Sequence, residues 1–109
     1  MTEKTTTIDE LGPEIIAINS ANGFPPSDPS WWDDEHKIPA QLSLIHSEVS
    51  EALEAFREGD RENFAEELAD VAIRLLSFAS GLDIDLGAEI LEKMAANRER
   101  AYRHGGKVI

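Results

Sequence analysis

The sequence contains no cysteine, which excludes a disulfide framework and thiolate chemistry. Basic residues are also scarce: 10 Lys and Arg stand against 22 Asp and Glu, giving a formal charge of −12 and a pI near 4.5. Such a charge argues against general nucleic-acid binding, which requires a basic surface. A phosphate-bearing substrate would be repelled unless metal ions or a local basic cluster intervened.

Long hydrophobic runs are missing as well. No segment approaches the ~18–20 apolar residues that span a bilayer, and the opening MTEKTTTIDE has neither the basic nor the apolar region of a signal peptide. We therefore expect a soluble cytoplasmic protein. The hydrophobic content of 41% is ordinary for a globular chain. A length of 109 residues predicts one domain spanning 1–109, with flexible ends at 1–6 and 104–109.

The sequence shows no β-strand signal and no internal repeat, whereas apolar residues recur at helical spacing. The pattern predicts four helices joined by short turns and one proline-rich loop over residues 23–37. The helices fall at about Pro13–Ala21, Ile38–Glu58, Arg61–Ala79 and Leu86–Tyr102, and an earlier start of the first helix is left open. Asp60, and either Asp83 or Asp85, should cap the third and fourth helices. The third helix is apolar on nearly all sides after Asp70, which indicates a second subunit as its cover. We predict an all-α helical bundle completed by homodimerisation.

Two acidic pairs lie on the second and third predicted helices. Glu48 and Glu51 form one pair, and Glu67 and Asp70 form the other, each three residues apart and hence on one helix face. If the helices pack antiparallel, the four carboxylates meet. Because like charges at contact distance need neutralisation, Mg²⁺ is the expected partner. The alternative is a solvated acidic face, since such pairs arise by chance among 22 acidic residues.

Histidine is not expected to add to this ligand set. His36, His46 and His104 have no partner at metal-ligand spacing. Asp in place of His in the second acidic pair also argues against a ferritin-like di-iron site, which uses Glu-x-x-His. The predicted ligands are therefore all carboxylates.

Half of the ten Lys and Arg fall between Lys93 and Lys107. Lys93, Asn97 and Arg100 share one helix face, an arrangement suited to binding phosphate. A structural role is equally open, in which Glu89 pairs with Lys93 and the bases complement the helix dipole.

Two adjacent tryptophans, Trp31 and Trp32, lie in the predicted loop. Both are too costly to leave in water, so we expect the loop to pack onto the bundle. They could stack on a nucleobase, but attachment of the loop is the simpler role. A loop of this length in a small domain is more often functional than not.

The acidic segments LSLIHSEVSEALEAFREGD and FAEELADVAIRL resemble the MazG-like all-α nucleoside triphosphate pyrophosphohydrolases. That family carries Glu-Glu-x-x-Glu, followed about one helix later by Glu-x-x-Asp. Glu48 and Glu51 match the last two acids of the first motif, and Glu67 and Asp70 match the second. Ser47 stands where the family has its first acid, which is a departure that leaves the four-carboxylate set intact.

The last helix extends this resemblance, because Lys93, Asn97 and Arg100 in KMAANRERAY match the family pattern Lys-x-x-x-Asn-x-x-Arg. The GF…W loop before the first acidic helix is also similar to members of the group. Together these features cover about residues 15–107. Each motif is short, but the three in this order are fairly specific.

The resemblance implies a homodimer or dimer of dimers that hydrolyses (d)NTP between the α and β phosphates to (d)NMP and pyrophosphate. Its role would be house-cleaning of the nucleotide pool. The resemblance also implies Mg²⁺, with Mn²⁺ as a substitute, bound by Glu48, Glu51, Glu67 and Asp70. Glu48 or Glu51 would be the general base. Substrate contacts would come from Lys93, Asn97 and Arg100, with Trp31 or Trp32 closing over the base.

Two alternatives stay open at this point. The same scaffold could carry a related activity, such as phosphoribosyl-ATP pyrophosphohydrolysis, which the acidic motif alone does not exclude. The chain could instead be a non-enzymatic acidic bundle that binds a partner protein, with its carboxylates merely solvated. Neither base nor sugar preference is encoded in motifs this short.

Overall fold

The computed structural model describes residues 7–100 of the chain. Within these residues four α-helices follow one another, with a short 3₁₀ helix (Pro29–Asp33) between the first two: α1 (Ile8–Ala21), α2 (Lys37–Arg57), α3 (Arg61–Gly81) and α4 (Leu86–Arg98). The prediction of an all-α bundle of about four helices is confirmed. The ends expected to be flexible, 1–6 and 104–109, lie outside the described residues. Between residues 7 and 100, no helix is long and apolar enough to cross a bilayer.

The helix α1 begins at Ile8, earlier than the predicted start at Pro13. Thr7 supplies the start, because its hydroxyl oxygen accepts a hydrogen bond from the Glu10 backbone N–H at 3.3 Å and its hydroxyl donates to the Glu10 carboxylate at 3.1 Å. Pro13, expected in the first turn, lies in the second. The helix therefore begins at the Thr7 cap and continues through Pro13.

The turn between α2 and α3 has the conformation that its residues favour. Gly59 adopts φ of 73°, a left-handed conformation that glycine enters without a steric penalty. The Asp60 carboxylate then caps α3 by accepting the Asn63 backbone N–H at 3.0 Å. The rings of Phe56 and Phe64 pack edge to face across this turn, with centroids 6.4 Å apart. The two helices therefore form a tight antiparallel hairpin.

The loop after α1 is attached to the last turns of α3. Ser27 is buried and donates a hydrogen bond to the Phe78 carbonyl at 3.0 Å. The approach is so close that a side chain at Gly81 would collide with Ser27. Likewise α1 lies against α3 at Gly12, where an added Cβ would lie 2.7 Å from the Cβ of Ser80. These contacts place α1 and the loop along one side of the hairpin.

The interior of the single chain is made largely of small side chains. Among residues 7–100, the buried apolar residues are Ala52, Ala55, Ala79 and Leu82. Beyond Asp70, α3 still leaves Ile73 and Leu75 each 40% exposed. The prediction that α3 is buried on nearly all sides assumed a second subunit, and the single chain covers only part of this helix.

Candidate metal centre and adjoining cavity

The α2–α3 hairpin brings the two acidic pairs to the same level. Glu48 and Asp70 each lie eleven residues from Gly59, and Glu51 and Glu67 each lie eight. In an antiparallel hairpin, residues equally distant from the turn lie opposite each other. One carboxylate oxygen from each of Glu48, Glu67 and Asp70 accordingly lies within 4.8 Å of the other two.

The four acids differ in their surroundings. Glu48 and Glu67 are half-buried, whereas Glu51 and Asp70 are exposed. Glu51 does not belong to the group of oxygens within 4.8 Å, although it is one of the groups that raise the pKa of Glu67. The structure thus gathers three of the four predicted carboxylates, with the fourth beside them.

Within the cluster, Glu67 lies in an environment that is unfavourable to its negative charge. Its Oε2 is inaccessible to solvent and has no hydrogen-bond partner within residues 7–100. Removal from water raises the pKa of Glu67 most, and hydrogen bonding with Glu51 and the negative charges of Glu51, Asp70 and Glu48 raise it further. A buried polar atom without a partner is unfavourable. A hard divalent cation with oxygen ligands would relieve both effects, so the donor set fits such an ion.

The side chain of a basic residue, Arg74, lies beside the cluster. Arg74 donates a hydrogen bond from Nε to Glu48 Oε1 at 2.8 Å, and the two side chains are 39% and 13% exposed. Because Arg74 follows Asp70 by four residues on α3, both side chains lie on one helix face. Arg74 is not among the site residues predicted from the sequence pattern. The available signal was a base one helical turn after a candidate ligand, within an otherwise apolar stretch.

A cavity of about 470 Å³ adjoins the cluster, and Glu48, Asp70 and Arg74 form part of its wall. This volume lies in the range of roughly 300–1,000 Å³ that is typical of small-molecule sites. Asn19 and Gln41 add uncharged polar groups. Much of the remaining wall is apolar or aromatic, including Ile16, Phe24, Trp31, Leu44, Ile73 and Phe78. The cavity wall therefore offers both charged and apolar groups to a ligand.

The two tryptophans have different environments. Trp31 is half-buried and lines the cavity, with its ring centroid 6.3 Å from that of Phe78. Trp32 is 60% exposed and does not contribute to the cavity wall. The expectation that both rings are covered is therefore wrong for Trp32. Adjacent residues of a 3₁₀ helix project in different directions, so only one of the two rings faces α3.

The predicted phosphate-binding residues near the end of the sequence lie apart from this site. Lys93, Asn97 and Arg100 are exposed and do not contribute to the cavity wall. The helix α4 ends at Arg98, so Arg100 is not on the helix as its spacing predicted. Every residue from Leu91 to Arg100 is exposed. A helix end without packing has little to stabilise further turns, which accounts for the shorter helix.

The ligand set described by the structure contains no histidine between residues 7 and 100. His36 is almost fully exposed, with Nε2 3.9 Å from the Glu35 carboxylate. His46 is also exposed, and His104 lies outside the described residues. The candidate site is therefore built from carboxylates, with Arg74 as its neighbouring cation.

Comparison with known proteins supports the resemblance noted above. The profile of the MazG nucleotide pyrophosphohydrolase domain matches residues 38–101, more than half of the 109-residue chain. The matched range contains all of α2 but its first residue, together with α3 and α4, and therefore all four predicted metal ligands. No curated protein and no solved structure gives a significant match. On the evidence of this domain, the chain belongs to the MazG nucleotide pyrophosphohydrolase family.

Proposed function

We propose that the chain hydrolyses nucleoside triphosphates, ribo or deoxyribo, between the α and β phosphates to give a monophosphate and pyrophosphate. The observation that carries this proposal is a carboxylate cluster at the edge of a nucleotide-sized cavity, in a member of a pyrophosphohydrolase family. Its role would be house-cleaning of the nucleotide pool.

We assign binding of Mg²⁺, with Mn²⁺ as a substitute, to Glu48, Glu51, Glu67 and Asp70. The donors are all carboxylate oxygens, and the buried Oε2 of Glu67 lacks the partner that a cation provides. When bound, the ion supplies neutralising charge for the triphosphate and polarises the α-phosphoryl group. An enzyme of phosphoryl transfer works mainly by positioning and charge stabilisation, so this cluster suits the reaction.

Hydrolysis also requires a group that orients a water molecule and accepts its proton. Glu48 and Glu51 are the two candidates. Glu48 is engaged by Arg74 at 2.8 Å, whereas Glu51 is exposed and lies beside the 4.8 Å group. We therefore favour Glu51 over Glu48 as the general base.

The apolar and aromatic part of the cavity lining suits the nucleobase. Trp31 offers an aromatic face for stacking, and Asn19 and Gln41 offer amide groups for hydrogen bonds to base or sugar. Trp32, exposed and outside the wall, is assigned no base contact in this chain.

We further propose that the working form is a homodimer or a dimer of dimers. Large apolar side chains on the hairpin remain exposed, among them Phe56 at 69%, Val49 at 51% and Leu68 at 50%. Exposed apolar surface of this kind is typical of an interaction site. Light scattering coupled to size exclusion would test this assembly, and a monomer at micromolar concentration would contradict it.

A substrate contact is proposed for three residues near the end of the described chain only in the assembled dimer: Lys93, Asn97 and Arg100. All three are exposed and outside the cavity wall of their own chain. A second protomer could bring its α4 to the mouth of the cavity, where these residues would contact phosphate. In a monomer we assign them no substrate contact.

The decisive experiment is pyrophosphate release from a panel of ribo-, deoxyribo- and damaged nucleoside triphosphates, with Mg²⁺ and with EDTA. Phosphoribosyl-ATP belongs in the panel, because it tests the related activity on the same scaffold. We expect EDTA-sensitive turnover to a monophosphate. A folded, dimeric protein that turns over nothing in the panel, and whose melting temperature does not rise with Mg²⁺, would instead favour the non-enzymatic binding module.

A further inference from the structure

Arg74 is the one Lys or Arg among the cavity-lining residues between 7 and 100. The chain carries a formal charge of −12, and Glu48 and Asp70 already contribute negative charge to the same wall. A polyphosphate entering this cavity adds several more negative charges. Arg74 is therefore placed where a cation would offset part of this negative charge.

The contact with Glu48 uses only part of the arginine side chain. A guanidinium carries five N–H donors in a rigid plane, and the hydrogen bond to Glu48 Oε1 at 2.8 Å uses the one on Nε. The terminal nitrogens make no hydrogen bond within residues 7–100, and the side chain is 39% exposed at the cavity wall. The ion pair thus fixes one edge of the guanidinium and leaves the other edge for a ligand.

We infer that Arg74 binds the phosphate chain of the substrate, with Glu48 holding its guanidinium in position. This inference rests on the proposed function and adds a substrate-binding residue that lies outside the acidic motif. Arginine suits the role better than lysine, because its planar fork can donate to a carboxylate and a phosphate at once.

A purely structural role makes a different prediction. If Arg74 only balances the charge of Glu48, its removal should alter metal binding and stability and leave phosphate affinity unchanged. The two roles are therefore separated by measuring binding of a phosphate chain without base or sugar. Inorganic tripolyphosphate is the probe of choice.

The experiment is calorimetric titration of tripolyphosphate into the full chain at saturating Mg²⁺, for the wild type, Arg74→Gln and Arg74→Lys. Arg57→Gln is the matched control, because Arg57 also pairs with a glutamate, Glu54 at 3.6 Å, but does not line the cavity. We expect about 10- to 100-fold weaker binding for Arg74→Gln, the range expected on losing charge-assisted hydrogen bonds. Arg74→Lys should be intermediate, and Arg57→Gln should bind like the wild type.

The Mg²⁺-dependent rise in melting temperature should persist in Arg74→Gln, because the carboxylates are intact. Equal tripolyphosphate affinity in Arg74→Gln and Arg57→Gln would overturn the inference, as would absence of binding to the wild type. If Arg74→Gln does not fold, Arg74→Lys decides, and affinity equal to the wild type overturns the inference. Arginine-dependent binding in a protein without turnover would instead overturn the proposed function and keep the phosphate site.

Discussion

The α2–α3 hairpin and the α4 helix present their charged residues in contrasting settings. On the hairpin, Glu48 and Glu67 are half-buried and face each other across two packed helices. On α4, every residue from Leu91 onward is exposed up to Arg100. Both elements carry charges at helical spacing, but in the described residues only the hairpin holds its charged residues opposite those of a packed partner helix.

This difference indicates what each element contributes. A short turn at Gly59 sets the register of α2 against α3, so the hairpin brings the carboxylates of the candidate metal site together within one chain. The exposed face of α4 has no such constraint, and we propose that it acts on a site only in an assembly of two chains. Mutations in the two elements test these different roles of the hairpin and of α4, from the largest expected effect to the smallest.

The largest effect should come from the hairpin. Asp70→Asn removes one of the three clustered carboxylates, and we expect kcat/KM for the best substrate to fall by at least about 100-fold, as is common when preorganised charge is lost from an active site. The fold should persist, because Asp70 is exposed. Steady-state kinetics with Mg²⁺ and a circular dichroism spectrum check both points.

The matched control is Glu66→Gln, which makes the same change of charge at an exposed residue of α3 outside the cluster. It should retain wild-type kinetics. Equal losses in Asp70→Asn and Glu66→Gln would mean that total charge matters and that the cluster does not. The hairpin would then have no more specific a role in activity than the exposed charges of α4.

The features that sequence analysis predicted are local ones. The caps at Asp60 and Asp85 are confirmed, accepting backbone N–H groups of Asn63 and Ala88, each at 3.0 Å. The proximity of the acids follows from two i,i+3 pairs placed symmetrically about Gly59. Within such a range, helical geometry and a short turn leave few arrangements open.

The features that could not be predicted from the sequence depend on contacts between distant segments. The Arg74–Glu48 pair joins residues 26 apart, and Phe24 lines the cavity only because the loop packs against α3 through Ser27. The exposed position of Lys93 likewise depends on which surface α4 presents to α1 and α3. Helical spacing places residues on a face but does not determine what that face contacts.

A second experiment compares the two tryptophans of the loop. Trp31→Ala should raise KM about 10-fold, since loss of aromatic stacking on a base commonly costs about 1–3 kcal/mol. Trp32→Ala, at an exposed position outside the cavity wall, should change KM little. Tripolyphosphate binding should be unaffected in both variants, because it has no base. Equal KM values for the two variants would contradict the assignment of Trp31.

A smaller effect is expected on α4. Lys93→Gln should raise KM about 2- to 5-fold, the scale of an exposed ion pair, and the difference should shrink at high salt. It should also disappear at protein concentrations where the chain is monomeric, because we assign the contact to a second protomer. An effect independent of concentration would place Lys93 on its own chain's site, and no effect would remove α4 from substrate binding.

The smallest change concerns stability without metal. Because the folded state raises the pKa of Glu67 above its ordinary value of 4.5, the folded chain binds this proton more tightly than the unfolded chain does. The associated stability is present below pH 4.5 and declines as the pH rises through the raised value. In EDTA, urea titrations should therefore show a steeper loss of stability with pH for the wild type than for Glu67→Gln. In Mg²⁺ the wild type should instead be the more stable of the two proteins, since only the wild type retains the Glu67 carboxylate as a metal ligand. Parallel pH profiles of stability in EDTA would contradict the raised pKa of Glu67.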